Sequence, residues 1–170
     1  MVLPVVAYGH PVLKKVAKEI DPSFPNLKEF ITDMFDTMYQ SDGVGLAAPQ
    51  VNVPLRIVVV EFGSEEDEEA PKKLYTVINP EITRPSTETV LGTEGCLSVP
   101  GIVGEVERAE SLTVKGLSRR GQPITIKAKG WLARIFQHEI DHLDGILFVD
   151  RAEKLWKTEE QQGQVMPEKV

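Results

Sequence analysis

Apolar positions along the chain recur in two rhythms. Leu27, Phe30, Ile31, Met34, Phe35 and Met38 follow i, i+3, i+4 spacing and predict an amphipathic helix. Asn26 followed by Glu29 predicts a capping box at its start, and Ser41-Asp42-Gly43 predicts its stop. Leu132, Ile135, Phe136, Ile140 and Leu143 trace the apolar face of a second helix, which follows Gly130 and ends at Gly145. Between the two, the chain reads as strands. Residues 55–62 are β-branched and apolar, and residues 74–78, 87–91 and 101–107 are shorter extended candidates. Residues 111–117 and 123–129 alternate apolar and polar, with Arg119-Arg120-Gly121 as the hairpin loop between them. Residues 1–18 open with a short extended piece, and His10-Pro11 starts a short helical turn. Residues 153–157 read as helical, and the polar tail from about 158 to 170 is expected to be disordered. Helices flanking short, mostly antiparallel strands predict a single compact α+β domain over residues 1–170.

Composition narrows the class. A chain of 170 residues with 41% hydrophobic and 26% charged residues suits one soluble domain with one core. No apolar run is long enough to cross a bilayer. The apolar start, residues 1–6, is too short for a signal peptide and lacks a basic n-region, so a cytoplasmic protein is expected. The formal charge of −7 is local rather than global. Glu61, Glu65, Glu66, Asp67, Glu68 and Glu69 crowd one stretch, and residues 63–73 read as an exposed acidic loop or insertion. Without those six acids the charge is close to balance, and nothing in it points to nucleic acid.

The chemistry begins at His138-Glu139-Ile140-Asp141-His142. Residues four apart on a helix lie one turn apart on one face, so both imidazoles can reach one metal ion with Glu139 beside it. Two neutral nitrogen ligands and a carboxylate that can take a proton suit metal-assisted hydrolysis. A catalytic site commonly needs a third protein ligand. A histidine six residues past His142 fails, because that position is Phe148. Glu159 or Glu160 stands in a tail with little apolar patterning to support it. The third source is Cys96, the only cysteine, which can form no internal disulfide. Alone it reads as a buried thiol; beside an incomplete two-histidine site it reads as a ligand. His10 reads as a surface or helix-entry residue. The segment 43–50, rich in glycine and alanine, reads locally as a helix-to-strand connection. Gln50 could donate to a developing oxyanion or simply be exposed.

Three segments together carry a resemblance. They are GVGLAAPQ from Gly43 to Gln50, EGCLS from Glu94 to Ser98 and HEIDH from His138 to His142. In this order they resemble the peptide deformylase family, marked by G-φ-G-φ-A-A-x-Q, E-G-C-φ-S and H-E-x-x-H. The likeness continues through HPVLKKVA from His10, QVNVPLRI from Gln50 and QHEIDHLDGILFVDR from Gln137, up to about Arg151. It implies antiparallel sheets around a central metal-binding helix. It implies that Cys96, His138 and His142 hold one divalent metal, usually Fe²⁺ in the cell, with Zn²⁺ or Ni²⁺ able to replace it. It casts Glu139 as general base and then acid, and Gln50 and the Leu97 N–H as donors to the attacked formyl oxygen. Gly45 would pair with the substrate backbone, and Val44, Ile135 and Trp131 would line a methionine pocket. The implied substrates are N-formylmethionyl nascent chains near ribosomes, with no nucleic-acid reading and no membrane. Two alternatives stand beside it: a zincin-type metalloprotease with Glu159 or Glu160 as third ligand, and a non-catalytic metal module with a closed four-ligand site.

Overall fold

Proline and glycine punctuation sets the N-terminal half. Pro11 opens a 3₁₀ turn, Pro11–Lys14, and His10 caps it by accepting the Val12 N–H on Nδ1 at 3.1 Å. His10 is thus an exposed helix-entry residue, as expected. The computed structural model describes residues 1–158, so the tail expected to be disordered lies, Thr158 apart, outside the described residues, as do Glu159 and Glu160.

Helix α1, Leu27–Gln40, buries Leu27, Ile31, Met34, Phe35 and Met38 on its predicted stripe. The capping box does not form. Asn26 is left-handed at φ 62 and its side chain makes no cap bond, whereas a capping side chain needs extended backbone to reach the helix amides. The Asp21–Phe24 turn brings in the Phe24 carbonyl instead, which takes the Leu27 N–H at 3.3 Å. The stop sits where predicted, as a Schellman motif: Gly43 N–H reaches Met38 O at 3.0 Å and Asp42 N–H reaches Tyr39 O at 3.1 Å. Asp42, at φ 54, takes the left-handed position.

Strand β1, Gly45–Ala47, runs into a 3₁₀ turn, Ala48–Val51. Then follow β2, Ile57–Phe62, β3, Lys73–Thr83, β4, Thr89–Cys96, β5, Val99–Ala109, β6, Ser111–Leu117, and β7, Pro123–Lys129. The acidic stretch is the loop between β2 and β3. Strand β3 outruns its prediction because Pro80 is absorbed: pairing with β6 shifts register between Ile78 and Glu81, and Asn79 takes φ 52. Helices α2, Gly130–Leu143, and α3, Phe148–Arg151, precede β8, Lys154–Lys157. Residues 153–157 are therefore not helical. So short a segment cannot sustain a helix alone, while β5 offers a free ladder that pairs Gly104 with Leu155 and Val103 with Trp156.

The strands form an antiparallel five-stranded sheet, β1-β2-β3-β6-β7, and a three-stranded sheet, β4-β5-β8. Strand β2 is apolar throughout because both faces are covered. Val58 and Val60 pack with Ile135, Phe136, Ile140 and Leu143 of α2, while Ile57 and Val59 pack with α1. Helix α2 lies on the inner side of that sheet and is buried almost all round, including His138, Glu139, Asp141 and His142. Its end is a second Schellman motif, with Ile146 N–H on Asp141 O at 2.9 Å and Gly145 at φ 76. A Cβ on Gly145 would lie 2.5 Å from Lys14 O, so glycine is required there twice over. The fold is the expected α+β arrangement with the histidine-bearing helix at its centre.

Candidate metal centre

Three elements place the site. Cys96 ends β4, where pairing shifts register after Gly95 so that Cys96 opposes Val99 across a tight turn. The Ser98 and Val99 amides in that turn favour a negative sulfur. Helix α2 presents His138 and His142 one turn apart, with ring centroids 5.1 Å apart. Cys96 Sγ lies 3.4 Å from His142 Nε2, and one ligand atom from each of Cys96, His138 and His142 falls within 4.8 Å of the others. All three side chains are buried. Phe148, the position that denied a third histidine, stacks on His138 at 6.0 Å.

Buried polar atoms without partners gather here. Four of the six such side-chain atoms among the described residues are His138 Nε2, His142 Nδ1 and both carboxyl oxygens of Glu139. Native interiors satisfy nearly all buried polar groups, so such a cluster points to a ligand that supplies the missing contacts. The Glu139 carboxyl rests against β1: a Cβ on Gly45 would lie 2.6 Å from Glu139 Oε2. Gln50 is fully buried, which rules out the exposed reading. Its Oε1 accepts the Ala47 N–H at 3.0 Å, and its Nε2 lies 3.2 Å from Ser98 Oγ and 3.6 Å from Cys96 Sγ. Leu97 follows Cys96 in the turn and packs beside Gly43. Val44 and Trp131, both partly buried, pack against the cluster that contains the fully buried Ile135.

A charged network with no place in the sequence reading surrounds the histidines. Glu94, fully buried, lies 2.9 Å from His138 Nδ1 through Oε1. Arg108 donates to both its oxygens at 2.9 Å, and Arg134 donates to Oε2 at 2.6 Å. Arg108 also reaches Asp141 at 2.6 Å, and Arg151 reaches the same carboxylate at 2.7 Å. An ionised Glu94 can only accept, so it fixes the proton on His138 Nδ1 and leaves Nε2 with a free lone pair. Two local signals could have found part of this: Glu94 is two residues before Cys96 on one strand face, and Arg134 is one turn before His138. Arg108 carries no such signal, because only strand pairing brings it near.

The electrostatics follow from burial. Burial pushes Glu94 up, but hydrogen bonds from Arg108 and His138 outweigh it and hold the carboxyl well below its ordinary range. Burial pushes the Cys96 thiol up, and the charge of Glu139 adds to that, against the Ser98 and Val99 amides. Burial also pushes Glu139 well above its ordinary value, with Glu94 adding and Arg108 opposing. His142 is held well below its ordinary value by burial first, with the charge of Arg108 adding and that of Glu94 opposing. It is therefore the neutral, lone-pair-bearing form that a metal requires.

The chain is similar along nearly its whole described length to proteins already known. The family described as Polypeptide deformylase matches residues 2–158. A peptide deformylase from Carboxydothermus hydrogenoformans is 51% identical over 154 residues, covering 91% of this chain and 95% of that protein. The crystal structure of peptide deformylase from Ehrlichia chaffeensis superposes with TM-score 0.84 at 38% identity, over 91% of this chain and 89% of that one. A Met-Ala-Ser-bound crystal structure of class I type b peptide deformylase from Acinetobacter baumannii gives TM-score 0.81 at 42% identity, over 89% of this chain and 98% of that one. A chain matched from end to end of its described residues, with a thiol and two imidazoles brought together on the fold of these relatives, belongs to the polypeptide deformylase family.

Proposed function

We propose that this chain hydrolyses the formyl group from the N-terminal formylmethionine of newly made polypeptides and releases it as formate. The observation that carries the reading is the meeting of Cys96 Sγ with His138 and His142 within 4.8 Å, beside the unpartnered carboxyl of Glu139. The family is metal-dependent. The donor set of one thiol and two imidazoles fits a divalent transition metal, and the orphaned His138 Nε2 is the atom such an ion would satisfy. Cys96, His138 and His142 would hold it, with Fe²⁺ as the cellular metal and Zn²⁺ or Ni²⁺ as substitutes. Such an ion makes water acidic near neutral pH and polarises a carbonyl oxygen.

The chain's own residues do the rest. Glu139 takes a proton from the attacking water at its carboxyl and returns it to the methionine nitrogen as the C–N bond breaks. Gln50 Nε2 and the Leu97 N–H donate to the formyl oxygen as negative charge grows there. The anchoring of Gln50 Oε1 by the Ala47 N–H holds the amide in the site, and one Nε2 proton would turn from Ser98 Oγ or Cys96 Sγ to the formyl oxygen. Strand β1 is an edge of its sheet, so the Gly45 backbone can take the substrate as an added strand. Val44, Trp131 and, beneath them, Ile135 form the apolar wall for the methionine side chain. The Acinetobacter baumannii relative was crystallised with Met-Ala-Ser bound, which supports a peptide headed by methionine as the kind of ligand taken.

The substrates are nascent chains near ribosomes in the cytoplasm; no described helix is long and apolar enough to cross a membrane. The protease alternative loses its ground, because Cys96 stands in the third place that Glu159 or Glu160 was to fill. The closed four-ligand module has no fourth ligand in the cluster found among the described residues. Anaerobic metal loading with a formate-release assay on a formyl-Met-Ala-Ser peptide tests the reading. One equivalent of metal and turnover are expected; metal binding without formate would contradict it.

A further inference from the structure

Glu94 is held from two sides by two different arginines. Arg108 comes from β5 and Arg134 from α2. The Arg134 guanidinium does more than pair with Glu94. Its Nη1 also donates to Val106 O on β5 at 2.9 Å, and its Nη2 donates to Val90 O on β4 at 2.7 Å. The side chain is 5% exposed. One planar fork thus ties α2 to both long strands of the smaller sheet, one turn before His138. Gly92 on β4 makes the room: a Cβ there would lie 2.7 Å from Arg134 Cζ.

We propose that Arg134, seated over Gly92, is a positioning residue for the metal centre. It sets the spacing between the helix that carries His138 and His142 and the strand that carries Cys96, and it steadies the Glu94 oxygens that orient His138. The proposal rests on the reading of Cys96, His138 and His142 as metal ligands. Arg108 already gives Glu94 two charge-assisted hydrogen bonds, so counter-charge is the lesser part of what Arg134 adds. What it adds is distance: three acceptors on β4 and β5 meet one rigid group on α2. Without it α2 keeps its ties through Glu94–His138 and Arg108–Asp141 but loses those to Val90 and Val106, so the spacing of the ligand atoms is held less tightly.

Four variants of the metal-free protein test this: Arg134→Met, Arg134→Lys, Gly92→Ala and the Gly92→Ala/Arg134→Met pair. Methionine keeps the stem and removes the fork. Lysine restores charge but cannot span three acceptors. Alanine at 92 displaces the guanidinium without removing any polar group from the chain. Co²⁺ affinity is read by chelator competition on the thiolate charge-transfer band, and the His138 tautomer by nitrogen NMR; thermal melts report stability separately. Arg134→Met and Gly92→Ala are expected to lose about ten- to a hundredfold in affinity, the range for outer partners of metal ligands. Arg134→Lys should fall between them and wild type, and the double variant should be no worse than Arg134→Met. Wild-type affinity and tautomer in Arg134→Met overturn the proposal, even if its melting temperature falls. Should that variant not fold, the same result in Gly92→Ala overturns it. Failure of the wild-type protein to bind Co²⁺ overturns the ligand reading itself, and the proposal with it.

Discussion

Glu94→Gln perturbs the centre at its most heavily shared atom pair. The buried carboxylate accepts Arg108 twice at 2.9 Å, Arg134 at 2.6 Å and His138 at 2.9 Å. Glutamine keeps the shape but turns one oxygen into an NH₂. Whichever way the amide points, that NH₂ faces an arginine, and the two buried guanidiniums lose their shared counter-charge. Breaking a buried ion pair by removing one partner costs about 3–5 kcal/mol. That is a large part of the roughly 5–15 kcal/mol that holds a domain folded. The pH dependence has a definite sign. The folded-state value of Glu94 lies below its ordinary 4.5, so its stabilisation is fully present above 4.5 and drains away as pH falls towards the folded value. Urea unfolding of the metal-free protein at pH 7 and at steps from pH 5 to 3 measures both effects. The variant should be less stable at pH 7 by about 3–5 kcal/mol, with a shallower acid decline than wild type. Equal stability at pH 7, or parallel acid limbs, would refute the network as described.

Further predictions concern the reacting groups. Gly45→Ala places a methyl 2.6 Å from Glu139 Oε2, and a displacement of about 1 Å at a reacting group can cost around 10² in rate, so kcat/KM should fall by that order with metal content unchanged. Wild-type turnover in that variant would show that the carboxyl does not need its present seat. Glu139→Ala should keep one equivalent of metal and lose nearly all formate release, as read by metal analysis and a formate assay on the same sample. Cys96→Ala should lose or weaken metal binding, and full retention would remove the sulfur from the site.

How much of this was readable beforehand depended on range. Both main helices announce themselves by spacing, since Leu27 to Met38 and Leu132 to Leu143 each pack one stripe on one sheet face. The capping box at Asn26 misled because a preceding turn, not the motif, dictates its backbone. Residues 153–157 misled because their structure is decided by β5, some fifty residues earlier. The same division runs through the site. Cys96, His138, His142, Glu139 and Gln50 sit in short motifs; the structure gathers the thiol, both imidazoles and the Gln50 amide, and seats the Glu139 carboxyl against Gly45. Arg108 and Arg134 were missed because a lone arginine in a strand or helix looks solvated until tertiary pairing buries it against Glu94. The polar face of α2 is itself buried in the site, which the spacing of its apolar residues alone does not decide.

X-ray absorption of the protein loaded with Zn²⁺ tests the central assignment most directly, because it reads the ligand atoms without any assay of turnover. One sulfur at about 2.3 Å and two nitrogens at about 2.0–2.1 Å are expected, with a light atom completing the shell. A spectrum without sulfur, or a sulfur signal that survives in Cys96→Ala, would contradict it.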